Sequence, residues 1–289
     1  MKKLIIIIFT VTSTLSYAQN EGVIEYYNKI ISLSNHYNYD LETSGKHYES
    51  SEESLISYKR SDRAVVSYLT HPYSYSTHES ILKELEAEVL SAPSGLKNKE
   101  TIVAHLKVAI ASMNKNRDLC DLVSKYLDDK SYIKDTDLKQ FYAHMDTFQI
   151  NANIIYENCS AAQSLASEQT FKIELEFLKD APFCVWIVPM KKDLRDVDLI
   201  LEYLETNDSK LLKLAVEKIK LTFDAHKSTE GKSTDVLTDY YYKSVYEDFY
   251  FKLDEFLGRV IRENPNMSYI SNTFGEIVEK YNLFISQYN

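Results

Sequence analysis

The chain has 289 residues, a formal charge of −10, six Gly and five Pro. At about 2% each, Gly and Pro fall well below the ~7% and ~5% of average proteins, which disfavours turn-rich sheet architectures; the acidic balance repels phosphate backbones, so no nucleic acid is expected as a partner. The length suffices to bury a sizeable core, in one domain or two.

Met1-Lys2-Lys3, the apolar run from Leu4 to Leu15, and the small residues of Ser16-Tyr17-Ala18 have the form of a secretory signal, with cleavage expected before Gln19. The run is shorter than the ~20 residues a spanning helix needs. No cysteine precedes Cys120, so a lipid anchor at the cleavage site is not expected. Residues 1–18 are therefore read as a signal peptide and 19–289 as a single helical domain: exported, periplasmic or secreted, soluble, with no transmembrane span after cleavage. Losing Lys2 and Lys3 takes the charge from −10 to −12.

The first predicted helix starts near Asn20, with Val23, Tyr27, Ile30, Ser34, Tyr37 and Leu41 on one stripe, and runs past Gly45 toward Tyr58. His71-Pro72-Tyr73-Ser74-Tyr75-Ser76 interrupts it, because proline cannot continue a helix. Ser76, with Glu79 three residues on, has capping-box spacing for a helix ending near Ala92-Pro93.

From Asn98 to about Asp180 two long helices are predicted, joined by the loop Asp128–Lys134. Ile102, Leu106, Ala109, Met113, Asn116, Cys120, Val123 and Leu127 repeat at alternating steps of three and four. After the loop, Leu138, Phe141, Met145, Phe148, Ala152, Ile155, Cys159, Ala162 and Ala166 do the same. Such heptad seams predict an antiparallel, coiled-coil-like pair. Asn116 is the polar residue in its seam, and counting equally away from Ser131 sets it near Asp146 and Thr147. The same count offsets Cys120 from Cys159 by seventeen residues, or about 25 Å of helix. A disulfide tolerates roughly 7 Å between Cα atoms, so these two are not expected to pair, and no disulfide is expected at all.

The segment Lys125-Tyr126-Leu127-Asp128-Asp129-Lys130-Ser131-Tyr132-Ile133-Lys134-Asp135-Thr136-Asp137, continuing to Phe141 and His144, resembles a pattern of the YiiG-like family of helical bacterial envelope proteins. Tyr27-Asn28, Tyr281-Asn282 and Tyr288-Asn289 resemble that family's opening and closing helices. The resemblance rests on Tyr126, Tyr132, Asp135, Asp137 and His144 and implies an exported all-helical domain of no established activity. It supplies no catalytic residue.

Beyond the hairpin, the proline-bounded run Ala181–Pro189 reads as a strand or a buried connector. With no second strand candidate to pair with it, an ordered crossover carrying Trp186 is expected. Helices follow over Asp193–Thr206, Asp208–His226, Thr238–Glu263 and Met267–Tyr288, the last with Met267, Ile270, Phe274, Ile277, Tyr281, Phe284 and Tyr288 on one seam. No fixed-period repeat and no low-complexity linker divides the chain. The expected fold is all-α, an elongated antiparallel bundle with coiled-coil-like long helices.

Motifs for chemistry are weak. Gly231-Lys232-Ser233-Thr234 has the end of a phosphate-binding loop, but the position five residues earlier that needs Gly is His226. The seven histidines form no H-E-x-x-H array and no Glu-x-x-His pair, so no metal or other cofactor is expected. His71 and His78 read as loop residues, and His144 as a half-buried histidine beside the seam. Asp128, Asp129, Asp135 and Asp137 lack the glycine and closing glutamate of a calcium loop; Asp135 is expected to cap the second arm instead. No nucleophile elbow or Cys-His motif is present, so no catalytic residue is assigned and no enzymatic activity is expected.

Tyr supplies 23 of the 36 aromatic residues, since Phe adds 12 and Trp 1. Many lie on seams, where a ring is buried with its hydroxyl at the wet edge. Tyr73 with Tyr75, and Tyr240, Tyr241 and Tyr242, are clustered beyond that pattern and form the candidate binding surface. The sequence points to a non-enzymatic envelope protein acting by protein–protein contact with an envelope partner; the alternative is a small-ligand or glycan-binding module using the exposed tyrosines.

Overall fold

The heptad seams become buried helix faces. The computed structural model describes residues 18–61, 79–179, 183–206, 208–229, 236–262 and 265–286. Eight α-helices are found there and no strand among the described residues: α1 Ala18–Ser61, α2 Glu79–Val89, α3 Lys99–Asp128, α4 Lys139–Lys179, α5 Cys184–Glu205, α6 Ser209–Lys227, α7 Val236–Val260 and α8 Met267–Ser286, with a short 3-10 turn at Ser131–Ile133. The fold is all-α, as the composition and seams predict. Among the described residues no helix is long and apolar enough to cross a membrane. The signal-like start, Met1–Tyr17, lies outside the described residues, as does the Ser76 cap.

Contacts gather the chain into two compact units, Tyr17–Thr170 and Phe171–Asn289, where the sequence reads as a single domain. The division falls inside α4, a continuous helix of 41 residues, so no linker composition marks it.

In the N-terminal unit every predicted residue of the α3 seam is buried, and so is every one on α4 except the half-buried Met145. On α1 the stripe Val23, Tyr27, Ile30, Ser34, Tyr37 and Leu41 is buried and continues through Ser44, Tyr48, Ser51 and Leu55. Ser34 and Ser51 donate to the carbonyls of Ile30 and His47, four residues back, so small polar residues sit in this seam without leaving hydroxyls unpaired. The α3–α4 register is shifted from equal counting. Asn116 Nδ2 donates to Phe148 O at 3.3 Å and Asn116 Oδ1 accepts from Asn151 Nδ2 at 3.0 Å. The 3-10 turn and the left-handed residues Lys130 and Leu138 (φ 53° each) make the connection asymmetric, which counting from its middle ignores.

All three cysteines are free thiols. Cys120 meets Ser44 and Tyr48, while Cys159 meets Ser34, ten residues earlier on α1. Ten residues of helix separate these two contacts by about 15 Å. Burial pushes both thiols up to about 11.

In the C-terminal unit the core joins Trp186, Ile187, Met190, Leu194 and Val197 of α5, Val216, Ile219 and Phe223 of α6, Tyr246, Phe249, Leu253 and Phe256 of α7, and Ile270, Phe274, Ile277 and Phe284 of α8. Fully burying one such side chain contributes roughly 1.5–3 kcal/mol. This corrects the expected crossover: from Cys184 onward the apolar run is helix, with Pro189 inside its second turn. Proline there forfeits one backbone bond, and the 3.6-residue spacing of Trp186, Ile187, Met190 and Leu194 offsets that loss by burial. Phe183 takes a left-handed conformation (φ 60°) ahead of the helix and stacks on Trp186, with ring centroids 5.7 Å apart, and on Tyr242 at 4.1 Å.

Candidate functional site

The motif residues of the hairpin build a structural corner. Asp135 accepts from the backbone N–H groups of Lys139 and Gln140 at 3.0 and 2.9 Å, capping α4, and from Tyr126 Oη at 3.1 Å. Burial pushes its carboxyl up, but the N–H of Gln140, the Tyr126 hydroxyl and the N–H of Lys139 outweigh that and hold it below the ordinary value. Tyr132 is buried edge-on to Tyr126 and Tyr58, and its carbonyl accepts from Lys59 Nζ at 2.7 Å. Asp137 is exposed, 3.4 Å from Lys139 Nζ. His144 is half-buried and held below its ordinary pKa by burial. Three of the five motif residues thus meet, and each of the three serves the turn.

The tyrosine cluster on α7 splits. Tyr240 and Tyr241 are exposed at 78% and 40%, whereas Tyr242 is 4% exposed, packed on Phe183 and Phe284. Tyr242 is therefore a core residue rather than part of a surface, because one helix turn cannot aim three consecutive side chains outward. Tyr73 and Tyr75 lie outside the described residues, as do His71, His78 and Gly231-Lys232-Ser233-Thr234.

A concave site lies in the C-terminal unit. Phe171 from the end of α4, Lys192, Asp193, Arg195, Asp196 and Leu199 of α5, and Lys218, Thr222 and His226 of α6 line a pocket of about 440 Å³. At its edge, buried Asp193 Oδ2 lies 2.8 Å from His226 Nδ1 and accepts from Tyr250 Oη at 2.7 Å. A carboxylate only accepts, so Nδ1 carries the hydrogen, and in the neutral imidazole Nε2 is left as an acceptor. Burial raises the Asp193 carboxyl, and the bonds from Tyr250 and His226 pull it partly back. The Tyr250 hydroxyl is raised by burial and by the Asp193 charge. Tyr246 Oη donates to the His226 carbonyl, and Trp186 Nε1 to the Thr229 carbonyl at 3.1 Å, which fixes the end of α6 on α5 and α7.

Two of the neighbouring lysines are in ion pairs. Lys218 Nζ lies 2.6 Å from Asp196. Lys191 and Glu174 form a largely buried ion pair at 2.8 Å, with the Lys191 ammonium 5.6 Å from the Tyr281 ring centre. The Arg195 guanidinium stacks 4.2 Å from the ring centre of Phe171. Asp198 differs: its Oδ1 is shut off from solvent with no hydrogen-bond partner, and burial pushes the carboxyl up to about 7 against the attraction of Lys191 and Arg195. Among the described residues no group of three or more His, Cys, Asp or Glu could hold a metal ion.

Sequence reasoning did not find this site. Asp193 and His226 are 33 residues apart on two helices, and each sits in an ordinary amphipathic pattern. The available signal was a carboxylate on the buried face of α5, which must find a partner.

Comparison with family models and with curated proteins gives no match. Among solved structures, an alpha helical protein from Bacteroides fragilis is similar, with a TM-score of 0.52 and 15% sequence identity over 94% of this chain and 100% of that one. At that identity the likeness concerns the fold alone.

Proposed function

We propose that this chain is an exported, non-enzymatic helical protein that binds a small molecule in the α5–α6 pocket. The observation that carries the reading is the imidazole of His226, held by the buried Asp193 at 2.8 Å on the rim of an open pocket of about 440 Å³. That volume suits a small ligand, and an oriented Nε2 accepts from a ligand's O–H or N–H group. Binding is favoured over turnover because Thr222, which supplies the hydroxyl in the lining, donates to the Ile219 carbonyl at 3.2 Å rather than to His226. Export rests on the signal-like start at Met1–Ala18 and on the resemblance to YiiG-like envelope proteins at Tyr126–His144.

Thermal-shift screening against a broad metabolite panel tests it, since a ligand that binds only the folded state raises the melting temperature. Leu199→Trp fills the pocket and should abolish the shift. A shift that survives this change places the ligand elsewhere, and an inert panel counts against the reading.

A second reading is contact with another envelope protein through the outer face of α7, where Tyr240, Tyr241 and Phe251 stand 78%, 40% and 65% exposed. Replacing all three with Ser should lower recovery of a partner from envelope extract, while Leu199→Trp should not.

A further inference from the structure

We infer that the α5–α6 pocket takes a small organic anion, a carboxylate or phosphate group on an apolar body, with Arg195 holding the charged end. This rests on the small-molecule reading above and adds the ligand's chemistry.

The argument is a balance of charges. Of the two acids in the lining, Asp196 is paired with Lys218 at 2.6 Å, while Asp193 accepts from the neutral His226 and Tyr250 and so keeps its charge, one negative to set against the remaining cations. Of the cations, Lys218 is neutralised by Asp196. Arg195 and Lys192 remain, with no carboxylate at ion-pair distance from either among the described residues. Asp198 attracts Arg195 without forming an ion pair with it. The unmatched charge of the pocket is therefore positive.

Arg195 is also placed to use that charge. Its guanidinium lies on the Phe171 ring at 4.2 Å, and stacking holds the plane while leaving the N–H edge for a planar or tetrahedral oxyanion. Phe171 and Leu199 offer apolar surface next to it. A neutral ligand leaves the cation unanswered, and a cationic one meets Arg195 and Lys192 with like charge.

Calorimetric titration of the purified chain with benzoate, phenyl phosphate and benzyl alcohol tests the inference. At least one anion should bind about tenfold or more tightly than the alcohol, the strength of one charge-assisted contact. The better of the two anions tells a carboxylate source from a phosphate source. Arg195→Gln should weaken anion binding about tenfold, and Arg195→Lys less, since it keeps the charge and loses the fork. Unchanged helical circular dichroism in both variants shows that the fold is intact.

Equal binding of the alcohol and both anions overturns the anion class but leaves the small-molecule reading standing. Anion binding unaffected by Arg195→Gln overturns the assignment of Arg195. No binding by any of the three at millimolar concentration sinks this inference, and the metabolite screen then decides separately whether the pocket binds anything.

Discussion

Asn116 and Asn151 face each other inside the α3–α4 seam, Asn151 Nδ2 donating to Asn116 Oδ1 at 3.0 Å while Asn116 Nδ2 reaches the Phe148 carbonyl. Both are buried. Read from the sequence alone, Leu at position 116 would be tolerated. With its partner visible, Asn116→Leu strands the Asn151 amide, which costs about 1–3 kcal/mol. Adding Asn151→Leu should recover much of that loss. Urea midpoints of the single and double variants check it, and a single variant as stable as the parent refutes the pairing.

Asp198 gives a pH dependence. Its folded value, about 7, lies above the ordinary 3.8, so the folded chain holds a proton that the unfolded chain releases. Its contribution to stability is therefore full below 3.8 and declines as pH rises toward 7. Asp198→Asn should remove that slope and stabilise the fold above neutrality by on the order of a few kcal/mol, read as a higher melting temperature. Parallel pH profiles for variant and parent would contradict this.

The thiols should differ in reactivity. Cys120 and Cys159 are buried with their thiols raised to about 11, whereas Cys184 is half-buried. An alkylating reagent should label Cys184 first in the native chain and the other two only on unfolding. Mass spectrometry without reduction should find three modified cysteines after denaturation. A cross-linked Cys120–Cys159 peptide would rule out the observed packing on α1.

Gly45 sits in the middle of α1, and a methyl group added there meets nothing within 4 Å. Gly45→Ala should therefore stabilise the chain by roughly 0.5–1 kcal/mol, the helix-propensity difference. A lower melting temperature would mean that α1 is interrupted at this point.

Neighbouring tyrosines on α7 should behave oppositely. Tyr242→Ser empties a site packed against Phe183 and Phe284 and should cost about 3–5 kcal/mol. Tyr240→Ser, at a 78% exposed position, should change stability by no more than about 0.5 kcal/mol. Denaturant midpoints of the two variants are the comparison.

The sequence by itself determined the helical class and most seams, because heptad spacing is a local pattern and burial follows it: Ile102 to Leu127 and Phe148 to Ala166 are buried in the predicted phase. It also located the Asp135 cap, whose backbone N–H partners, Lys139 and Gln140, lie within five residues. What only tertiary structure decided is whatever depends on two helices at once. The α3–α4 register depends on how an asymmetric connection turns. Whether Pro189 interrupts a helix depends on the apolar surface available to Trp186 and Met190, and the fate of Tyr242 on a ring supplied by Phe183. The Asp193–His226 pair joins positions 33 residues apart, and no local periodicity encodes which buried carboxylate will meet which imidazole. The division inside α4 is of the same kind, since a continuous helix carries no signal of where its neighbours change.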